Sequence, residues 1–166
     1  ALYIRRKNPR VTIYPILDGG GQERGLRPGT LNVPGIVGFG KACEIASGYL
    51  TKFQLIQKLR DNLENELLKF KGVKINGINT NRLPNTSNLT FANFKADTLI
   101  SAIKEIAIST GSACTSAIPE PSHVLKAMGL SEEEAFGSIR ISLGRQTTAK
   151  EIEFVIEAFG RFFKNR

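Results

Sequence analysis

The chain has 166 residues, 41% hydrophobic and 23% charged, with 23 Lys and Arg against 15 Asp and Glu for a formal charge of +8. Such a composition excludes a disordered tail, a collagen-like repeat and a disulfide-dense scaffold. The length is that of about one domain, able to bury roughly two-thirds of its unfolded surface. The basic excess lies at the ends: residues 1–10 carry net +4, residues 160–166 net +3, and the remainder 16 bases against 15 acids. A nucleic-acid binder needs its charge as a patch on the body of the fold, so no nucleic-acid partner is expected. Two cysteines and one histidine cannot assemble a four-ligand structural zinc site. There is no apolar run of 18 residues, and the opening ALYIRRKNPR is too short and too charged for the core of a signal peptide. No membrane span is expected, and the chain reads as a piece of a cytoplasmic or organelle-matrix protein.

In chain order, residues 2–4 read as a strand end, followed by a turn at Asn8-Pro9. Residues 18–32, DGGGQERGLRPGTLN, form a loop by composition. Pro34 opens a helical stretch with Ile36, Val37, Phe39, Ala42, Ile45 and Ala46 at helical spacing, and Cys43 inside it is expected to be inert in an apolar core. Residues 50–71 predict a second helix. Phe53, Ile56, Leu59, Leu63, Leu67 and Phe70 make its apolar stripe, charges fill the other face, and Gly72 acts as the C-cap. The period then changes. Residues 73–75, 88–94, 106–109 and 139–143 predict strands, Asp97 an N-cap for a helix through Ile103, and Thr148 with Glu151 a capping box for a last helix over 149–163. Ser131 with Glu134 makes a shorter box. The second half therefore predicts helices and strands sharing one sheet, an α/β or α+β unit.

Four features carry possible chemistry. Cys114 lies in STGSACTSAIPEPSH, among small residues that leave a thiol accessible, as a reactive cysteine requires; the alternative is a small hydrophobe tucked under a loop. His123, nine positions on, is either a base for Cys114 or a surface or capping residue. The glycine loop matches neither GxGxxG nor a P-loop. It either brings backbone N–H groups with Arg24, Arg27 and Thr30 to an anion, or simply connects two elements. Arg140, in the alternating SIRISLGR, points away from Ile139 and Ile141, to solvent or onto a carboxylate that its planar fork suits.

Taken in order, GGGQERGLRPGT, STGSACTSAIPEPSHVL and SIRISLGRQTT closely resemble the NifS/IscS-type cysteine desulfurases, pyridoxal-phosphate (PLP) enzymes of the class V aminotransferase family. The EPSHVL stretch points to the long-loop branch, and Gln22 stands where members have His or Gln. The resemblance implies the C-terminal part of an aspartate-aminotransferase-like, fold-type-I subunit. Residues 1–36 would end the large PLP-binding domain, 37–48 would link, and 49–166 would form the small α+β domain. It implies that Cys114 is the nucleophile that takes sulfur from L-cysteine as a persulfide, leaving L-alanine, and a candidate transient iron–sulfur ligand. It further implies that Arg140 grips the substrate carboxylate and that Thr30 reaches the cofactor phosphate across a homodimer interface. Partners so implied are an iron–sulfur scaffold or another sulfur acceptor. The family's PLP lysine lies upstream of the segment matched by ALYIRR, so the chain alone is expected to be inactive. Selenocysteine lyase, or a persulfide-carrier or interaction module, are the alternatives. Apolar residues at 2–4 and 36–39 predict self-association.

Overall fold

The structure, a computed structural model, describes residues 1–110 and 120–164. The chain divides into two compact units, Ala1–Gly48 and Tyr49–Arg166.

The first unit holds a 3-10 turn at Gln22–Gly25 and one long helix, α1 (Val33–Tyr49). Asn32 starts the helix: its Oδ1 accepts the Gly35 N–H at 3.1 Å, the N-cap bond. Pro34 sits in the first turn, where no backbone N–H is needed. Residues 2–4 are not a strand. Strands exist by pairing, and every strand of the sheet belongs to the second unit; here one backbone bond, Val11 N–H to the Arg5 carbonyl at 2.9 Å, and one from Arg5 Nη1 to the Asn8 carbonyl at 3.3 Å close a turn around a cis Asn8–Pro9 peptide. No residue of this unit is buried. Cys43 is accordingly exposed, contrary to the core position its neighbours predict. Helical spacing of apolar residues predicts a face that seeks cover, but 48 residues with one helix provide none of it.

The second unit runs through α2 (Phe53–Leu67), β1 (Val73–Ile75), β2 (Thr86–Phe91), α3 (Ala96–Ala102), β3 (Ser109–Thr110), α4 (His123–Ala127), α5 (Glu132–Phe136), β4 (Ser138–Ser142) and α6 (Ala149–Lys164). The strands form one antiparallel sheet in the order β1-β2-β4-β3. Ile56, Leu63 and Leu67 of α2 and Ile152, Phe159 and Phe162 of α6 join Leu89, Phe91, Ile139 and Ile141 of the two central strands in one core. The Phe91 and Phe159 rings stack at 5.4 Å. Alternation along β4 follows: Ile139 and Ile141 are buried, Arg140 and Ser142 exposed.

The boundaries shift for local reasons. The second helix stops at Leu67, not 71, because Lys69 and Phe70 N–H groups turn back to Glu66 and Leu67 carbonyls. Gly72 is therefore not its cap. It has φ +83 in the turn into β1, where a Cβ would lie 3.0 Å from that of Ala92. Lys95, not Asp97, precedes α3; Asp97 sits in the first turn, its charge favourable at the helix N-terminus. Strand β2 spans 86–91 where 88–94 is predicted, β3 spans 109–110 where 106–109 is predicted, and β4 spans 138–142 where 139–143 is predicted.

Helix α2 also departs from a simple apolar-in, charged-out reading, since Arg60 and Glu64 are only 5% and 4% exposed. Glu64 takes both arms of Arg82, Nη1 to Oε1 at 2.6 Å and Nη2 to Oε2 at 2.9 Å. Arg60 donates to Asp61 Oδ1 at 3.0 and 2.6 Å and to the Leu83 carbonyl at 2.7 Å. Together they tie the connector between β1 and β2 to the helix. Hydrogen bonding to Glu64, foremost, raises the Arg82 pKa above its ordinary value. A raised cation stabilises the fold below its unfolded pKa, so this contribution is complete at neutral pH.

Ser87, 1% exposed on the core side of β2 and paired with Ile141, has a hydroxyl without a hydrogen-bond partner among the described residues. Ser87→Ala removes a buried, unsatisfied polar atom, so a stability gain of about 1 kcal/mol is expected by urea denaturation; a loss would show that the hydroxyl is satisfied.

Both capping boxes form. Ser131 N–H donates to Glu134 Oε2 at 3.0 Å and Glu134 N–H to Ser131 Oγ at 3.2 Å. Thr148 N–H donates to Glu151 Oε2 at 2.7 Å and Glu151 N–H to Thr148 Oγ1 at 3.3 Å. The backbone bond from Ser131 or Thr148 is the leading cause that lowers each glutamate's pKa below 4.5. Unfolded, these carboxyls protonate at the ordinary value; folded, they resist. The stability they contribute is therefore whole well above pH 4.5 and is lost as pH falls below that value through the lowered folded pKa. In Glu151→Gln the acid-side decline of Tm should be shallower than in the wild type, and an unchanged slope would remove Glu151 from the effect.

Candidate functional site

Arg140 lies at the centre of β4, on the face away from the core, and its Cα is in register with Asn88 of β2 on one side and Ser109 of β3 on the other. Directly opposed residues of antiparallel strands share a face, with Cβ atoms about 4.5–5.5 Å apart. The sheet thus assembles a row of three polar side chains, Asn88, Arg140 and Ser109, from positions far apart in sequence. Arg140 has no hydrogen-bond or ion-pair partner among the described residues. An unpaired guanidinium flanked by neutral polar groups can take a carboxylate in its fork.

Beside this row, a neutral network runs along the same face. Asn76 Nδ2 donates to Asn88 Oδ1 at 2.6 Å and to Thr90 Oγ1 at 2.9 Å. Thr90 and Ser138 hydroxyls meet at 2.8 Å, and Ser138 Oγ donates to the Glu134 carbonyl at 2.6 Å. Sequence reading missed Asn88 and Asn76. Their only sequence signal is Asn88's place one step out of phase with Leu89 in a strand.

The chain leaves β3 at Thr110, opposite Ile139. Cys114 follows within four positions and lies outside the described residues, as does the rest of 111–119. His123 is exposed at the first position of α4, where the Ser122 hydroxyl caps the Leu125 N–H at 3.5 Å. It is a helix-start surface residue.

In the first unit, the glycine loop is held by its own side chains. Arg27 Nη1 donates to the Gly29 and Thr30 carbonyls at 3.1 and 2.8 Å, and Gly29 N–H donates to Gln22 Oε1 at 3.1 Å. Arg27 is thus engaged with backbone, while Arg24 lines an open cleft of about 720 Å³ with Arg6, Arg10 and Glu23. Thr30 is exposed, and its hydroxyl makes no hydrogen bond among the described residues. No metal-binding cluster of His, Cys, Asp and Glu occurs among the described residues.

The donor set bears on a cofactor. A free threonine hydroxyl on a glycine loop suits a phosphate oxygen, and Arg140 suits an amino-acid carboxylate. Every described lysine, by contrast, is exposed. Thr30 and Arg140 are thus described side chains suited to anions, and no described lysine is shielded as a covalent cofactor anchor would be.

The chain belongs to the class-V aminotransferase family, whose model matches residues 2–155. Among individual proteins it is 48% identical over 165 residues to the cysteine desulfurase IscS of Anaeromyxobacter sp. (strain K), covering 96% of this chain and 40% of that protein. Among solved structures it resembles a NifS-like protein from Rickettsia africae with a TM-score of 0.81 and 39% identity, over 93% of this chain and 41% of that one. It also resembles SspA in complex with cysteine, TM-score 0.54 and 39% identity, over 79% and 35% of the two chains. The chain spans about two-fifths of the length of the relatives it matches. Among the described residues, no helix is long and apolar enough to cross a membrane.

Proposed function

We propose that this chain supplies the sulfur-transfer part of a cysteine desulfurase. The observation that carries the reading is Arg140: an unpartnered guanidinium on the open face of the sheet, in register with the strand that runs into the cysteine segment. Its similarity to IscS and to a structure holding cysteine supports cysteine as the amino acid whose carboxylate Arg140 takes.

In this reading the Cys114 thiolate attacks the substrate sulfur. The new S–S bond forms as the substrate's C–S bond breaks, the electron pair passes to the β-carbon, which takes up a proton, and the carbon skeleton leaves as alanine. PLP, when bound, supplies the electron sink for that carbon. Thr30 donates its hydroxyl to the cofactor phosphate, in a homodimer from one subunit to the other. The exposed Ile36, Val37 and Phe39 of α1 support such self-association. Residues 1–36 belong to the cofactor domain, 37–48 link, and 49–166 are the small domain. The persulfide passes to an iron–sulfur scaffold or another acceptor in the cytoplasm or an organelle matrix.

In the intact enzyme Cys114→Ser should abolish sulfide release from L-cysteine, and the chain by itself should release none. Sulfide release that survives the substitution would refute the nucleophile. Release from L-selenocysteine alone would move the protein to selenocysteine lyase chemistry.

A further inference from the structure

We propose that Asn88 is a second carboxylate donor beside Arg140, its amide oriented by Asn76 so that the NH2 group faces the anion that Arg140 holds. The proposal deepens the carboxylate role of Arg140 and rests on that reading. Three observations carry it. Asn88 and Arg140 are directly opposed across β2 and β4, on the same open face. The Asn88 carbonyl oxygen is committed to Asn76 Nδ2 at 2.6 Å, which turns its NH2 group the other way. That NH2 group has no partner among the described residues, although Asn88 is half-buried.

The groups behind it make the orientation rigid. Asn76 is itself held by Thr90, giving at 2.9 Å and accepting at 3.1 Å, and Thr90 by Ser138. Every member of the chain is neutral, so it fixes geometry without competing for the arginine's charge. A carboxylate has about four lone-pair sites, and a forked arginine fills two of them. An adjacent amide N–H reaches a third. A donor left half-buried and unpaired costs stability unless a ligand answers it.

The test is a 15N–1H NMR titration of the chain with L-alanine, against ethylamine as the probe without a carboxylate. L-Alanine should shift the Asn88 side-chain NH2 signals and the backbone amides of Asn88, Ser109 and Arg140; ethylamine should not. Asn88→Ala should weaken L-alanine binding by about tenfold, one hydrogen bond to a charged acceptor. Asn88→Asp keeps the shape and the acceptor for Asn76 but places a carboxylate against the ligand, and should abolish binding; it decides the matter if the alanine variant unfolds. Asn76→Ala should weaken binding severalfold and broaden the Asn88 NH2 signals, which a merely structural role would not do. If Arg140→Ala abolishes binding while Asn88→Asp binds as the wild type does, the proposal fails and the arginine's role survives. If neither variant changes binding, or L-alanine shifts nothing up to its solubility, both fall.

Discussion

Glu64→Ala should lower the stability of the chain by about 3–5 kcal/mol, the largest loss expected from any single surface-free charge. The carboxylate is 4% exposed and receives both arms of Arg82, with Arg60 Nε 4.0 Å away. Removing it leaves Arg60, 5% exposed, beside an empty space, and strips Arg82 of its only acid partner within hydrogen-bond reach among the described residues. Arg60 keeps Asp61 as its counter-charge, so it is the partly desolvated Arg82, left without an acid, that makes the truncation expensive. Glu64→Gln keeps a hydrogen-bond acceptor and should lose less, whereas Glu64→Leu with Arg82→Met removes both charges and should recover part of the loss. Urea unfolding of the four proteins measures this, with the midpoint moving and the slope unchanged. Equal midpoints for wild type and Glu64→Ala would show that the cluster contributes nothing to the fold.

Arg140→Ala should raise KM for L-cysteine in the intact enzyme by about 100-fold, the equivalent of losing a charge-assisted, two-pronged contact with a carboxylate. Because Arg140 is exposed and its side chain makes no hydrogen bond or ion pair among the described residues, its truncation should leave Tm unchanged. That separation of binding from stability is the informative part. Arg140→Lys keeps the charge but not the fork, and should recover only part of the loss. A wild-type KM in Arg140→Ala would remove the arginine from the site.

Features set by neighbours in sequence were legible, and those set by partners across the fold were not. The boxes of Ser131 with Glu134 and Thr148 with Glu151 are four-residue devices, and both stand where the spelling puts them. The face of Arg140 follows from alternation in β4 alone. Its company does not: Asn88, Arg140 and Ser109 meet only through strand order and register. Burial of Arg60 and Glu64 escaped notice because a helical stripe counts apolar positions and takes charges to be solvated, yet Arg82 arrives from a connector to complete the pair. Cys43 went the other way, for an apolar stretch announces a wish to be covered and says nothing of what covers it.

Pairing of the central strands has one more consequence, for how the site tolerates errors. Along β4 the side that carries Arg140 is fixed by Ile139 and Ile141, which are 0% and 6% exposed. A slip or insertion of one residue would drive the guanidinium into the core and push both isoleucines into water. The oily residues therefore act as a reading frame for the polar ones: they forbid each one-residue slip, which would take arginine off the face that it shares with asparagine and serine. A protein can lose its chemistry through a change that touches none of the chemical residues, merely by shifting the frame that holds them.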